Sequence, residues 1–230
     1  EEGQRYLAPI ERGFQQLHSA AAALEPESGH LKIGAFPFLA NEIFTPNLVA
    51  IKAALSIDRI SLHTGTELEK LQHPVRQQRL DIVIRYAASE KFSGLLATKL
   101  FDVALVPILS PGHPAINSVD ELLSLPKIRI IGPFDGWGSW SEEMGLSGPP
   151  ENVVIETDSF HSAALAVERG EGVCLGILPY MQPWIRQGRI QALTDFSCEV
   201  AESAYLVYAP HNKDNPVIER LRQWLRDALG

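Results

Sequence analysis

Cysteine is scarce in this 230-residue chain: Cys174 and Cys198 are the only two. Neither has metal-ligand spacing around it. A reduced compartment is a simpler reading than a disulfide, and any redox role of the pair is left open. Long apolar runs are missing too, since none reaches the roughly 18 residues that a membrane span needs. The histidines His18, His30, His63, His73, His113, His161 and His211 stand singly. Without an HxxxH, an HExxH or a His/Cys cluster, metal catalysis is not indicated. There is no G-x-S-x-G elbow, no P-loop and no complete G-x-G-x-x-G. The expectation is therefore a protein with no catalytic residues, no metal and no cofactor. Positive charge is in deficit, with 28 acidic against 20 basic residues and a net charge of -8. Such a chain has no overall field to attract nucleic-acid phosphates, so any contact with DNA would fall to another part of the protein. The opening EEGQRYL is polar and has neither an initiator Met nor an apolar leader. It reads as the start of a fragment of a longer, cytoplasmic protein with no membrane partner.

What is present is ample apolar material: 45% hydrophobic and 21% charged residues, enough for one large domain or two small lobes. The clearest period lies in residues 1–24. Leu7, Ile10, Phe14, Leu17, Ala21 and Leu24 recur at alternating steps of three and four. That stripe is the seam of a coiled coil, or the buried face of a helix packed on its own domain. The Ala-rich end suits close helix–helix approach, which favours a dimerisation helix over residues 1–28. Pro9 weakens its first turns, and Pro26, Ser28 and Gly29 end it.

From His30 the period changes to short apolar strands alternating with helices. Strands are predicted at 30–36, 59–63, 80–85, 101–109, 128–132, 153–157, 172–177, 189–193 and 204–209. Helices are predicted from 37 to 55, then at 67–73, 119–125, 161–169, 179–187 and 216–229. This alternation implies right-handed βαβ units on a mostly parallel sheet. Pro107 and the Ser110-Pro111-Gly112 breakers suggest a crossover near 106–111, with the chain returning near 200–206. The fold class expected is α/β: two Rossmann-like lobes joined by two crossover segments, preceded by a long helix. Lobe I would comprise 29–107 and 205–230, and lobe II 108–204. Such a fold holds a ligand in the cleft between lobes, where strand carboxyl ends and helix N-termini supply donors.

The opening EEGQRYL, the strand LKIGAF, the downstream Pro46, the strand LDIVIRY, the crossover LSPGHP and the segment ERGEGVCLGILP occur in an order that closely resembles the LysR-type transcriptional regulators. DIVIRY and WGSW are similar to the branch containing the glycine-cleavage activator and the β-lactamase-inducing regulators. The resemblance covers essentially the whole chain and implies a periplasmic-binding-protein type 2-like effector domain. It also implies homodimers or homotetramers built through the linker helix, and DNA contact only through an N-terminal domain absent here. One departure is AASEKFSG after the RY strand, where the branch often has Gly and Trp-Pro-Gly, so effector identity does not carry over.

Candidate cleft residues follow. Resemblance points to the loop with Pro37, Phe38 and Leu39, although its phenylalanines also read as core. Thr64, Gly65 and Thr66 offer hydroxyls and a close backbone approach, or an ordinary helix cap. Arg85 ends an apolar strand and would clamp a carboxylate, or pair with a nearby acid. Phe134, Asp135 and Trp137 follow a strand end and offer a wall with one acceptor, or plain turn chemistry. Ser159 and Phe160 open a helix, where Ser159 reads as a cleft donor or an N-cap. Gly176 and Leu178 line the cleft with backbone, or make a tight strand exit. Arg85 facing Asp135 would suit an amino acid, a peptide or another small carboxylate. The rival reading is the solute-binding protein of a transport system, which shares the two-lobed fold.

Overall fold

The computed structural model describes residues 29–64, 75, 80–89, 92–132 and 136–229. The proposed dimerisation residues Leu7, Ile10, Phe14, Leu17, Ala21 and Leu24 lie outside the described residues, as do Gly65, Thr66, Phe134 and Asp135.

Strand β1 (His30–Ala35) pairs in parallel with β2 (Arg59–Thr64) and β3 (Ile82–Ala87). Two long strands then run through the molecule, β4 (Leu96–Leu109) and β9 (Cys198–Tyr208). The end of β9 pairs antiparallel with β3 and with the start of β4. The remainder of β4 pairs antiparallel with β7 (Cys174–Leu178) and β8 (Gln191–Ala192). A separate parallel pair, β5 (Lys127–Ile130) and β6 (Val153–Thr157), joins β7 through a bridge from Lys127 to Val173. The ladder between β4 and β9 shifts register at Lys99/Phe101 and at Asp102/Ala104. One half of the sheet meets the other there. Ser203 Oγ donates to Asp102 Oδ1 at 2.8 Å across the shift. The fold is thus the α/β, two-lobed class expected, but the curled sheet is mixed and not the mostly parallel one expected, because the long crossing strands β4 and β9 run antiparallel to their neighbours.

Pro107 does not break β4. It lies in register with Leu175, and its carbonyl accepts from the Leu193 amide at 2.9 Å. The strand also begins at Leu96, before the predicted start, because Leu96, Ala97 and Thr98 pair with Tyr208, Val207 and Leu206.

The helices are α1 (Leu48–Leu55), α2 (Val119–Ser124), α3 (Gly136–Glu143), α4 (Phe160–Glu168), α5 (Gln182–Arg186) and α6 (Pro216–Leu229). Helix α3 was not expected, because GWGSWSEE has poor helix formers and no clear apolar period. Burial of Trp137 and Trp140 overrides that propensity. Helix α6 buries Ile218, Leu221, Leu225 and Leu229 along one stripe.

Three apolar cores result. The largest runs from Phe44, Ile51 and Leu55 through Ile84 and Leu206 to Ala163, Val167, Met181 and Trp184, so it spans both lobes. The opposite face of the lobe I sheet buries Val83, Phe92, Tyr205 and Val207. The opposite face of lobe II buries Leu105, Leu122, Trp137, Trp140 and Leu175.

Lys127 is fully buried beside this last core. Its Nζ donates to the carbonyls of Leu122, Leu123 and Leu125 at 2.9, 3.0 and 2.5 Å, capping the C-terminal end of α2. Burial pulls its pKa from 10.5 down to about 8. The folded state then binds fewer protons than the unfolded state between those two values, so this group makes stability rise with pH there. Urea midpoints of the parent chain relative to Lys127→Met should therefore rise between pH 7.5 and 9.5. A flat difference would mean that the three carbonyls hold the ammonium charged.

Candidate functional site

At the end of β1 the chain turns sharply. Phe36 is extended, with φ -71° and ψ 153°, and Pro37 occupies the first helical position, where its missing N–H costs nothing. Four helical pieces follow without a gap: a turn at Pro37–Leu39, a π-turn at Ala40–Phe44, a 3-10 turn at Thr45–Asn47, and α1. Pro46 accounts for the irregular middle, because it cannot donate to the carbonyl four residues back. Thr45 Oγ1 donates to the Ala40 carbonyl at 2.8 Å, and Asn47 Nδ2 to that of Ile43 at 2.8 Å.

This run places Phe36, Phe38 and Glu42 of lobe I against lobe II. The Phe36 ring lies 5.4 Å from Tyr86 and, edge to face, 5.1 Å from Tyr180. Tyr86 and Tyr180 meet edge to face at 5.5 Å, and Phe101 meets Tyr180 at 5.2 Å. Phe38 meets Phe160 at 5.0 Å and Trp184 at 5.6 Å. Aromatic pairs of this geometry add attraction beyond their buried area. Glycine at 176 makes room within lobe II for Ile108 of β4 and for Met181. A Cβ there would stand 2.8 Å from Ile108 Cγ2 and 3.0 Å from Met181 Cγ.

Beside the rings lies a polar latch. Glu42 of lobe I accepts from Trp184 Nε1 at 2.7 Å and from Arg189 Nη1 at 3.4 Å, and its other oxygen is 3.3 Å from His161 Nδ1. Arg189 is held twice more in lobe II. It pairs bidentately with Glu168 at 2.6 and 2.9 Å and stacks 3.4 Å over the Trp184 ring. The bonds to Arg189 hold the Glu168 carboxyl below its ordinary range, and those to Glu168 push Arg189 up.

The hydroxyls of Tyr86 and Tyr180 are buried, and neither makes a well-formed hydrogen bond among the described residues. Burial, and then the neighbouring Tyr180, raise Tyr86 well above the usual phenol range. Burial raises Tyr180 likewise. Both therefore stay neutral donors.

The candidate residues separate by location. Phe38 and Phe160 sit at the seam, Pro37 and Leu39 beside it, and Leu178 at the exit of β7. Thr64 is exposed at the end of β2. Arg85 lies on the other face of the lobe I sheet, with its guanidinium 5.6 Å over Phe92. Its neighbour Tyr86 is the side chain that reaches the seam. Trp137 is buried in the far core of lobe II and donates to the Ile128 carbonyl at 3.0 Å. Ser159 caps α4, accepting from the Ser162 amide at 3.2 Å. Gly176 is interior strand. Sequence reasoning missed Tyr86, Phe101, Tyr180, Trp184, Glu42, His161 and Arg189. For Tyr86 a signal existed in strand parity, since it alternates with Ile82 and Ile84, which face the core spanning both lobes.

Among the described residues no group of three or more His, Cys, Asp or Glu side chains could hold a metal ion, and no helix is long and apolar enough to cross a membrane.

A family model described as the LysR substrate binding domain matches residues 24–230. No curated protein sequence matches. Among solved structures, the effector domain of the transcriptional regulator AmpR of Pseudomonas aeruginosa is 20% identical with a TM-score of 0.66, over 87% of this chain and 95% of that one. The AmpR effector binding domain from Citrobacter freundii is 23% identical with a TM-score of 0.63, over 88% and 98%. CrgA, a LysR-type transcriptional regulator from Neisseria meningitidis, is 20% identical with a TM-score of 0.64, over 100% of this chain and 78% of that one. At such identities the likeness is one of fold.

Proposed function

The chain belongs to the LysR substrate binding domain family, the effector-binding domain of transcriptional regulators, and from that premise we propose that it senses a small polar metabolite at the seam between its lobes. The observation that carries this reading is the aromatic seam itself, where two buried phenol hydroxyls from opposite lobes lack well-formed partners. Lobe I is assigned to 29–107 and 205–230, and lobe II to 108–204. An effector that prefers one arrangement of the lobes shifts the population toward it. In this reading the helix over residues 1–28 pairs two chains as a dimer, or four as a tetramer, and relays that arrangement to a DNA-binding domain. The chain performs no catalysis.

Calorimetry and thermal unfolding with amino acids, cell-wall peptides and aromatic acids test this. A true effector at a hundredfold excess over its Kd stabilises the chain by about 2.7 kcal/mol. Silence from every class would end the reading.

A further inference from the structure

The seam also carries information about what kind of effector it takes. Tyr86 ends β3 in lobe I and Tyr180 follows β7 in lobe II, and their rings touch edge to face at 5.5 Å. Phe36 and Phe101 complete the box. Tyr180 is 1% exposed, and the two buried phenol hydroxyls face only each other, in a contact short of good hydrogen-bond geometry. A buried hydroxyl left unsatisfied is costly, so the site is primed for a group that accepts hydrogen bonds.

Building on the effector-domain reading, we propose that Tyr86 and Tyr180 are the specificity-determining residues of the effector site, and that they select a planar, conjugated ligand bearing a carbonyl or carboxylate oxygen.

Three arguments converge on that class. The four walls are rings, so a flat ring inserted among them replaces ring–ring contacts with ring–ring contacts. If one phenol donates to the other, the second O–H still needs an acceptor, which a methylated ammonium does not offer, although an aromatic box alone would suit one. The nearest strand cation, Arg85, stacks on Phe92 on the opposite face of the sheet, so an aliphatic zwitterion gains no ion pair from it. The rings are already in contact, with Phe36 and Tyr86 on one lobe and Tyr180 on the other. A ligand therefore enters by displacing Tyr180 from its three ring partners, Phe36, Tyr86 and Phe101. Binding should loosen the seam beside the Glu42 latch.

The test is titration calorimetry of the full chain with benzoate, cinnamate, cyclohexanecarboxylate, choline and a set of amino acids. The parent is compared with Tyr86→Phe, Tyr180→Phe and the double variant. The phenylalanine replacements keep the rings, and circular dichroism with thermal unfolding confirms that each variant is folded. An aromatic acid should bind at least tenfold more tightly than cyclohexanecarboxylate, and each replacement should weaken it about tenfold while leaving the amino acids unaffected. Equal affinity for the saturated acid, or unchanged affinity in the double variant, overturns the proposal. Binding by choline alone, or by none of the conjugated acids, does so as well. If an amino acid binds while the conjugated acids do not, only the ligand class fails and the effector-domain reading stands. If no probe binds, both fail.

Discussion

Replacing Trp184 with alanine should destabilise the chain by about 3–5 kcal/mol, the range for a large aromatic removed from a core. The side chain is 1% exposed, so little of the resulting void can be refilled from solvent. It also holds three separate contacts, two of them across the seam. Its ring packs on Phe38 at 5.6 Å, its face carries the Arg189 guanidinium at 3.4 Å, and its Nε1 donates to Glu42 at 2.7 Å. Losing the ring therefore opens a cavity, frees Arg189 on one side and removes a donor from a largely buried carboxylate. In a chain of this size the thermal midpoint should fall by roughly 6–20 °C. Equilibrium urea unfolding followed by near-ultraviolet circular dichroism measures the loss directly. A loss below about 1 kcal/mol, the level of a tolerated exchange, would mean that the lobes do not close over this residue.

The second large effect is at Glu42. Its side chain is 18% exposed and faces Trp184, His161 and Arg189 from the opposite lobe. Glu42→Ala should cost about 2–4 kcal/mol, because it strands the buried indole N–H and leaves charge on Arg189 less fully paired. Arg189 keeps its bidentate bond to Glu168, which limits the damage. Glu42→Gln should cost less, since an amide oxygen still accepts from Trp184. The two sites share one network, so a double-mutant cycle of Glu42→Ala with Trp184→Ala should show strong non-additivity. Additive losses would show that the carboxylate and the indole act independently. Small-angle scattering should report the same variants as more extended, because Glu42, with Phe38 beside it, ties this corner of lobe I to lobe II.

Together these two predictions separate the apolar and polar parts of one contact. The rings supply most of the attraction and no direction. The Glu42 latch supplies little net energy for its buried charge but specifies how the lobes align. An effector that moves Tyr180 acts on both, since Trp184 and Tyr180 lie four residues apart on the same lobe II segment.

The legible part of the fold was the alternation of strands and helices. Segments such as HLKIGA, VVIET and FHSAALAVE carry their structure in their own pattern of apolar residues and caps, and strands β1 and β6 and helix α4 lie where they were expected. Ser159 could be read as a cap because the bond it makes is local, three residues away. Family membership was legible for a related reason. It rests on the order of many short motifs along the chain, and order is a property of sequence.

The site was decided elsewhere. Arg85 stood out because a charge ends an apolar strand, and strand parity tells only that Tyr86 shares a face with Ile82 and Ile84. Which of the two buried faces meets lobe II is decided by packing, and it is the face of Tyr86, not that of Arg85, that reaches Tyr180. Trp137 stood out beside glycines, and only helix α3 turns it into the far core. Glu42 and Trp184 are 142 residues apart in the chain and 2.7 Å apart in space. Local propensity and periodicity act over a few residues and so determine the elements. Contacts between lobes depend on how whole elements stack, and no short stretch of sequence encodes that.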